Sequence, residues 1–136
     1  MSVLVDSRAL TPVSVLIVDD YALSFKLAEA ILSTVGIRSH YLMESRGVVD
    51  WVEKNLPDLV LLDITMPSLN GLEVCRRLKA NPVTSKVPVI FLTARGAPES
   101  LLEGFEAGGS DYLIKPFQSE DLIVRVQAQL MKRKIA

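Results

Sequence analysis

Hydrophobic residues follow two different periods along this chain, and the two alternate. Short runs rich in aliphatic and β-branched residues predict five strands. Three of these runs are nearly continuous in apolar character, as expected for strands buried on both faces of a parallel sheet. The predicted strands are Val13–Val18, Ile37–Leu42, Leu59–Leu62, Val87–Leu92 and Asp111–Ile114.

Helical spacing fills the segments between the predicted strands. In the first segment an apolar residue recurs every fourth position, which predicts the buried stripe of a helix that ends at Gly36. That stripe consists of Leu23, Leu27, Ile31 and Val35. Further helices are predicted over about 47–55, 72–80 and 98–107, and a last one begins after Ser119-Glu120 with Leu122, Val126 and Leu130 on one face.

Strands that alternate with helices predict right-handed βαβ crossovers and a single parallel sheet. We therefore expect an α/β fold, a doubly wound five-stranded parallel sheet with the flavodoxin-like strand order 2-1-3-4-5. Residues 1–12 are expected to be an N-terminal tail, and residues 13–134 to form one domain. In such sheets ligands bind beyond the carboxyl ends of the strands.

Composition narrows the class of protein. The chain has 136 residues, of which 49% are hydrophobic, with a net charge of −1 and one cysteine. These values disfavour disorder, an internal disulfide and the wrapping of nucleic acid. No apolar run approaches the ~20 residues of a membrane span. We expect a cytoplasmic protein whose domain binds neither nucleic acid nor a membrane.

Residues whose side chains can bind ions or take part in catalysis lie at the ends of four predicted strands. Asp19 and Asp20 follow the first strand, Asp63 the third, Thr93 the fourth and Lys115 the fifth. Because the carboxyl ends of parallel strands share one edge of the sheet, these side chains should meet there. Taken alone, the Asp19-Asp20 pair could instead cap the first helix.

Three neighbouring carboxylates repel one another unless a cation lies between them. Mg²⁺ prefers oxygen ligands and typically uses one or two carboxylates together with phosphate oxygens. A cation, a lysine and a hydroxyl beside a carboxylate suit phosphoryl transfer, with the carboxylate as acceptor. The strand ends therefore predict a Mg²⁺-dependent phosphoryl-transfer site.

Four motifs in order resemble those of the receiver domains of response regulators in two-component signalling. The resemblance covers about residues 13–131. The motifs are Val15-Leu16-Ile17-Val18-Asp19-Asp20, Asp58–Pro67 with Asn70-Gly71, Phe91-Leu92-Thr93-Ala94, and Asp111-Tyr112-Leu113-Ile114-Lys115-Pro116-Phe117.

The resemblance implies a role for each matching position. Asp63 would accept the phosphoryl group, and Asp19 and Asp20 would hold Mg²⁺ with it, aided by the backbone carbonyl of Thr65. Lys115 would pair with the phosphoryl group.

Thr93 would move to hydrogen-bond that group, and the ring of Tyr112 would then turn inward. A cis peptide bond at Pro116 would place the preceding lysine. Thr65, Arg95 and Tyr21 occupy positions that would modulate the site.

The resemblance also implies partners. The phosphodonor would be a sensor histidine kinase or a phosphotransfer protein. The fourth helix, fifth strand and fifth helix would form the output surface, toward an output domain, a partner or a second copy on phosphorylation. Such a domain catalyses its own phosphorylation and slow dephosphorylation, and is not a turnover enzyme.

Two other functions stay open from the residues. A haloacid-dehalogenase-type phosphatase also uses an aspartate, Mg²⁺, a hydroxyl and a lysine, but needs a second aspartate where this chain has Thr65. A receiver-like binding module that is not phosphorylated is the other alternative. Whether the chain is a stand-alone regulator or part of a longer protein, such as a diguanylate cyclase or a hybrid kinase, stays open too.

Overall fold

The computed structural model describes residues 13–66, 69–94 and 98–135, so the predicted tail over 1–12 and the position of Arg95 lie outside the described residues. Five strands alternate with five helices along this part of the chain. They are β1 Ser14–Val18, α1 Ala22–Ser33, β2 Arg38–Leu42, α2 Val48–Asn55, β3 Leu59–Asp63, α3 Gly71–Ala80, β4 Val89–Ala94, α4 Pro98–Glu106, β5 Asp111–Lys115 and α5 Ser119–Ile135.

All five strands pair in parallel in one sheet, in the order β2-β1-β3-β4-β5. The predicted fold class and strand order are therefore confirmed. The register aligns Val18 of β1 with Leu62 of β3, and Asp63 of β3 with Leu92 of β4. The carboxyl ends of the strands consequently lie side by side at one edge of the sheet.

Two apolar layers hold the helices to the sheet, because successive strand residues point to opposite faces. On one face Leu16, Val60 and Leu62 pack with residues of α2 and α3. On the other face Val15, Ile17 and Leu61 pack with residues of α1 and α5. The central strands are buried on both sides, which explains why their sequences lack polar alternation.

The predicted buried stripe of α1 is wrong in part. Leu23, Leu27 and Val35 are exposed, whereas Ala28, Ile31 and Leu32 are buried. The helix ends at Ser33, so Val35 lies beyond it. Apolar residues occupy two adjacent faces of this helix, and only one of those faces meets the sheet.

The start of α3 is fixed against β3. Asn70 caps the helix by accepting a hydrogen bond from the Glu73 amide at 3.0 Å. A Cβ at Gly71 would overlap the carbonyl oxygen of Asp63, so this close approach requires glycine. In the described part of the chain, no helix has the length and apolar character that a bilayer crossing requires.

Candidate functional site

One lysine connects two carboxylates at the carboxyl edge of the sheet. Asp19 directly follows β1, and Asp63 and Lys115 end β3 and β5. The Lys115 Nζ lies 2.7 Å from Asp19 Oδ2 and 3.1 Å from Asp63 Oδ2. Three strands that are separate in sequence thus contribute to one charged cluster, as the strand-end pattern predicts.

Backbone amides fix the second oxygen of each of these carboxylates. Asp19 Oδ1 accepts a hydrogen bond from the Tyr21 amide at 2.9 Å. Asp63 Oδ1 accepts one from the Thr65 amide at 3.0 Å. Each carboxylate is therefore oriented by the turn that follows its strand. The N-cap position of α1 is occupied by Tyr21, and no side chain makes a capping hydrogen bond there. The structure therefore does not support the alternative in which Asp19 caps the helix.

Asp20 completes an acidic cluster that could hold a metal ion. One carboxylate oxygen from each of Asp19, Asp20 and Asp63 lies within 4.8 Å of the others. Asp19 and Asp63 are buried, whereas Asp20 is exposed. Oxygen ligands of this kind fit a hard divalent cation, and the exposed member leaves the cluster open to solvent.

The surroundings of Asp63 and Lys115 shift the pKa values of both groups. The pKa of Asp63 is raised to about 6: burial raises it most, contact with Lys115 lowers it, the charge of Asp19 raises it, and the Thr65 amide lowers it. Burial by itself would lower the pKa of Lys115, but its contacts with Asp19 and Asp63 raise that pKa above its ordinary value. One ammonium group therefore compensates only part of the local negative charge.

The remaining predicted residues surround this cluster at different depths. Thr93 is buried near the end of β4, and its hydroxyl makes only a long 3.4 Å contact with the Ala94 carbonyl. Thr65 and Tyr21 are exposed at the rim. The peptide bond between Lys115 and Pro116 is cis.

Tyr112 lies on β5 between α4 and α5. Its ring meets the ring of Phe105 edge-on, with centroids 6.2 Å apart. The Arg125 guanidinium lies 5.5 Å from the Tyr112 centroid. Arg125 also bonds Asp111 and Asp121, each at 2.7 Å. The half-buried tyrosine is thus connected to both neighbouring helices.

Sequence reasoning missed Arg125 and Phe105. The spacing of Asp121 and Arg125 by four residues on a helix is a signal for their ion pair. The contact with Tyr112 is not encoded locally, since it depends on how α5 packs beside β5. Phe105 is a large exposed aromatic residue on α4, and its partner also comes from another element.

The fold and the acidic edge are together those of a signalling domain of the two-component type. The sequence profile of the response regulator receiver domain matches residues 15–127. The chain belongs to that family.

Characterised relatives agree with this assignment. The phosphate regulon transcriptional regulatory protein PhoB of Rhizobium meliloti is 42% identical over 83 residues, which are 61% of this chain and 37% of that protein. The response regulator PleD of Caulobacter vibrioides is 35% identical over 114 residues, 84% of this chain and 25% of PleD. The chain thus spans only a quarter to about half of the length of the curated relatives it matches.

A solved structure shows the same fold over nearly its whole length. A protein assigned as a response regulator of Chloroflexus aurantiacus J-10-fl superposes with a TM-score of 0.86 at 34% identity. The match covers 89% of this chain and 99% of the other. Receiver domains are signalling domains, so the class of function is established at that level.

Proposed function

We propose that Asp63 accepts a phosphoryl group from a phosphohistidine of a sensor histidine kinase or a phosphotransfer protein. The observation that carries this proposal is the placement of Asp63. It is a buried carboxylate at the sheet edge, with one oxygen held by a backbone amide and the other 3.1 Å from an ammonium. That arrangement orients a nucleophile and neutralises the charge that the incoming group brings.

The cation we propose for the acidic cluster is Mg²⁺, held by Asp19, Asp20, Asp63 and the backbone carbonyl of Thr65. When bound, Mg²⁺ would neutralise the oxygens of the phosphoryl group and of the carboxylates. The donor set supports this choice, since every ligand is an oxygen and the carboxylates are too close to share the site unaided.

The residues of the chain perform the transfer by position. An Asp63 carboxylate oxygen attacks phosphorus, the P–N bond of the phosphohistidine breaks, and its electron pair stays on the imidazole, which takes up a proton. Lys115 stays paired with the new acyl phosphate. The Thr93 hydroxyl, which makes only a long contact in this structure, is free to turn and donate to a phosphoryl oxygen.

An apolar groove beside the site supports docking of the phosphodonor protein. The groove has a volume of about 330 Å³ and borders Lys115. Its wall includes Leu23 and Leu27, the two α1 leucines that the sheet does not cover, together with Tyr21. An exposed apolar surface next to a reactive carboxylate suits a partner that must approach along that edge.

The switch we propose runs through Tyr112. Movement of Thr93 toward a phosphoryl group opens space next to β5, and the tyrosine ring turns into it. That turn changes the contacts with Phe105 and Arg125, and with them the surface of α4, β5 and α5. An output domain, a partner or a second copy of the chain would bind this surface in one state only.

The domain removes its own phosphoryl group slowly by hydrolysis and does not turn over a substrate. Tyr21, Thr65 and Arg95 would set the rate at which water reaches the acyl phosphate. We expect Arg95→Ala to change the lifetime of the phosphorylated form, measured as loss of label after the donor is removed. Equal lifetimes would remove Arg95 from this role.

The phosphatase alternative is not favoured, because the family match covers most of the chain and Thr65 stands where that chemistry needs an aspartate. An unphosphorylated binding module is not favoured either, since the carboxylates, hydroxyl and lysine are all present at one edge.

Labelling with radioactive acetyl phosphate and Mg²⁺ tests the acceptor. We expect label on the native chain and on Glu29→Gln, a control at an exposed carboxylate of α1 outside the apolar groove, but none on Asp63→Asn. Label retained by Asp63→Asn would place the acceptor elsewhere. In parallel, beryllium fluoride with Mg²⁺ should shift the amide resonances of Thr93 and Tyr112. Unchanged resonances would favour the unphosphorylated module.

A further inference from the structure

A second cavity lies between the β2–α2 and β3–α3 loops, away from the acidic cluster. Its volume is about 540 Å³. Ser45, Arg46 and Gly47 line it from the first loop, Leu69 lines it from the second, and Val49 and Asp50 add the first turn of α2. None of these residues takes part in the phosphoryl-transfer proposal, so the two sites can be tested independently.

The polar groups of this cavity are arranged for an anion. Helix α2 begins after Gly47, which has a left-handed backbone and no side chain to cap the helix. The amides of Val49 and Asp50 therefore lack intrahelical acceptors. Free first-turn amides and the helix dipole favour negative charge at this end.

A buried hydroxyl provides independent evidence for a ligand. Ser45 is only 3% exposed, and its Oγ has no hydrogen-bond partner among the residues that the structure describes. An unpaired buried hydroxyl costs free energy, and a bound acceptor would recover that cost. Ser45 lines the cavity immediately before the helix start, where such an acceptor would sit.

Two arginine side chains, Arg46 and Arg77, line the same cavity. Arg46 forms no ion pair with any residue in the described part of the chain. Arg77 uses its Nε for Glu73, at 3.2 Å, which leaves its two terminal nitrogens for a ligand. Guanidinium groups bind phosphate with paired hydrogen bonds.

We propose that this cavity binds a small organic phosphate of mononucleotide size, with its phosphate at Ser45, Arg46 and the start of α2. A cavity of about 540 Å³ exceeds the needs of an inorganic ion and lies in the range of small-molecule pockets. Leu69 and Val49 supply an apolar wall for the organic part. The Asp50 carboxylate can accept a hydrogen bond from a ligand hydroxyl or amino group.

The test is an amide NMR titration of the native chain with AMP, GMP, CMP and inorganic phosphate. We expect saturable shifts at Val49 and Asp50 with at least one nucleotide, and affinity at least about tenfold above that of inorganic phosphate. No saturable shift with any of the nucleotides up to about 10 mM would overturn the proposal. So would inorganic phosphate binding as tightly as the nucleotides.

Variants distinguish binding at this cavity from a general effect of the positive charge of the protein. Arg46→Gln should weaken nucleotide binding about tenfold, whereas Lys54→Gln, which removes the same charge from the far end of α2, should change it less than about twofold. Ser45→Ala should weaken binding about threefold without loss of thermal stability, because it removes an unpaired hydroxyl. Equal losses in Arg46→Gln and Lys54→Gln would refute the assignment.

Discussion

Replacing Asp63 by asparagine should make the metal-free protein more stable. Burial raises the pKa of this carboxyl to about 6, against an ordinary value of 3.8. Each pKa unit corresponds to about 1.4 kcal/mol, so ionised Asp63 costs the folded state up to about 3 kcal/mol. Water at the open side of the cluster screens part of this cost. We therefore expect Asp63→Asn to raise the free energy of unfolding by about 1–2 kcal/mol near pH 7.5.

The pH dependence gives this prediction its sign. Between about pH 4 and 6 the folded chain binds more protons at Asp63 than the unfolded chain does, so native stability falls as pH rises through that window. The advantage of Asp63→Asn should therefore be complete above about pH 7 and vanish near pH 4. Saturating Mg²⁺ should reduce the advantage, because it stabilises the native carboxylate cluster.

Urea unfolding in EDTA, repeated across this pH range and with Mg²⁺, measures the effect. The control is Glu29→Gln, which replaces an exposed carboxylate within α1 and should change stability by less than about 0.5 kcal/mol. An Asp63→Asn variant that is less stable than the native chain near neutral pH in EDTA would contradict this prediction. So would a stability difference that does not depend on pH.

Three further predictions follow from the described contacts. The apparent affinity for Mg²⁺ should fall about tenfold from pH 7 to 5, because a proton then competes with the ion at Asp63. Isothermal calorimetry measures this affinity, and an affinity that does not change with pH would contradict the prediction. Arg125→Gln should cost about 1 kcal/mol and move the Tyr112 resonances, whereas exposed Arg76→Gln should change neither. Gly71→Ala should lower the free energy of unfolding in urea by about 2 kcal/mol or more, since the added Cβ would overlap the backbone of β3. A native-like stability would show that α3 can shift to make room.

Most of the architecture could be predicted from the sequence because local pattern and global fold agree. Strands such as Leu59–Asp63 are buried throughout, and their unbroken apolar runs are typical of a parallel sheet covered on both faces. Helix α1 was the exception. Its leucines occupy two adjacent stripes, and periodicity alone does not show which stripe meets the sheet.

The site could be predicted as a set of positions but not as a set of contacts. Strand ends predict that Asp19, Asp63 and Lys115 approach one another, because parallel strands terminate at a common edge. The division of one ammonium between two carboxylates depends on distances of 2.7 and 3.1 Å that only the folded chain defines. The contact of Arg125 with Tyr112 is likewise a product of tertiary packing.

The pairing of β4 with β5 has a consequence for the rate at which this domain can change state. Register places Thr93 beside Ile114 and Ala94 beside Lys115. Slippage by one residue would turn Lys115 to the opposite face of the sheet, so we expect the β4–β5 ladder to stay closed during the switch. Motion is then confined to side-chain rotation and loop rearrangement, which run on timescales from nanoseconds to milliseconds. Hydrogen exchange should accordingly show the amides of the central strands β1, β3 and β4 opening only with global unfolding, whereas loop amides exchange through local fluctuations.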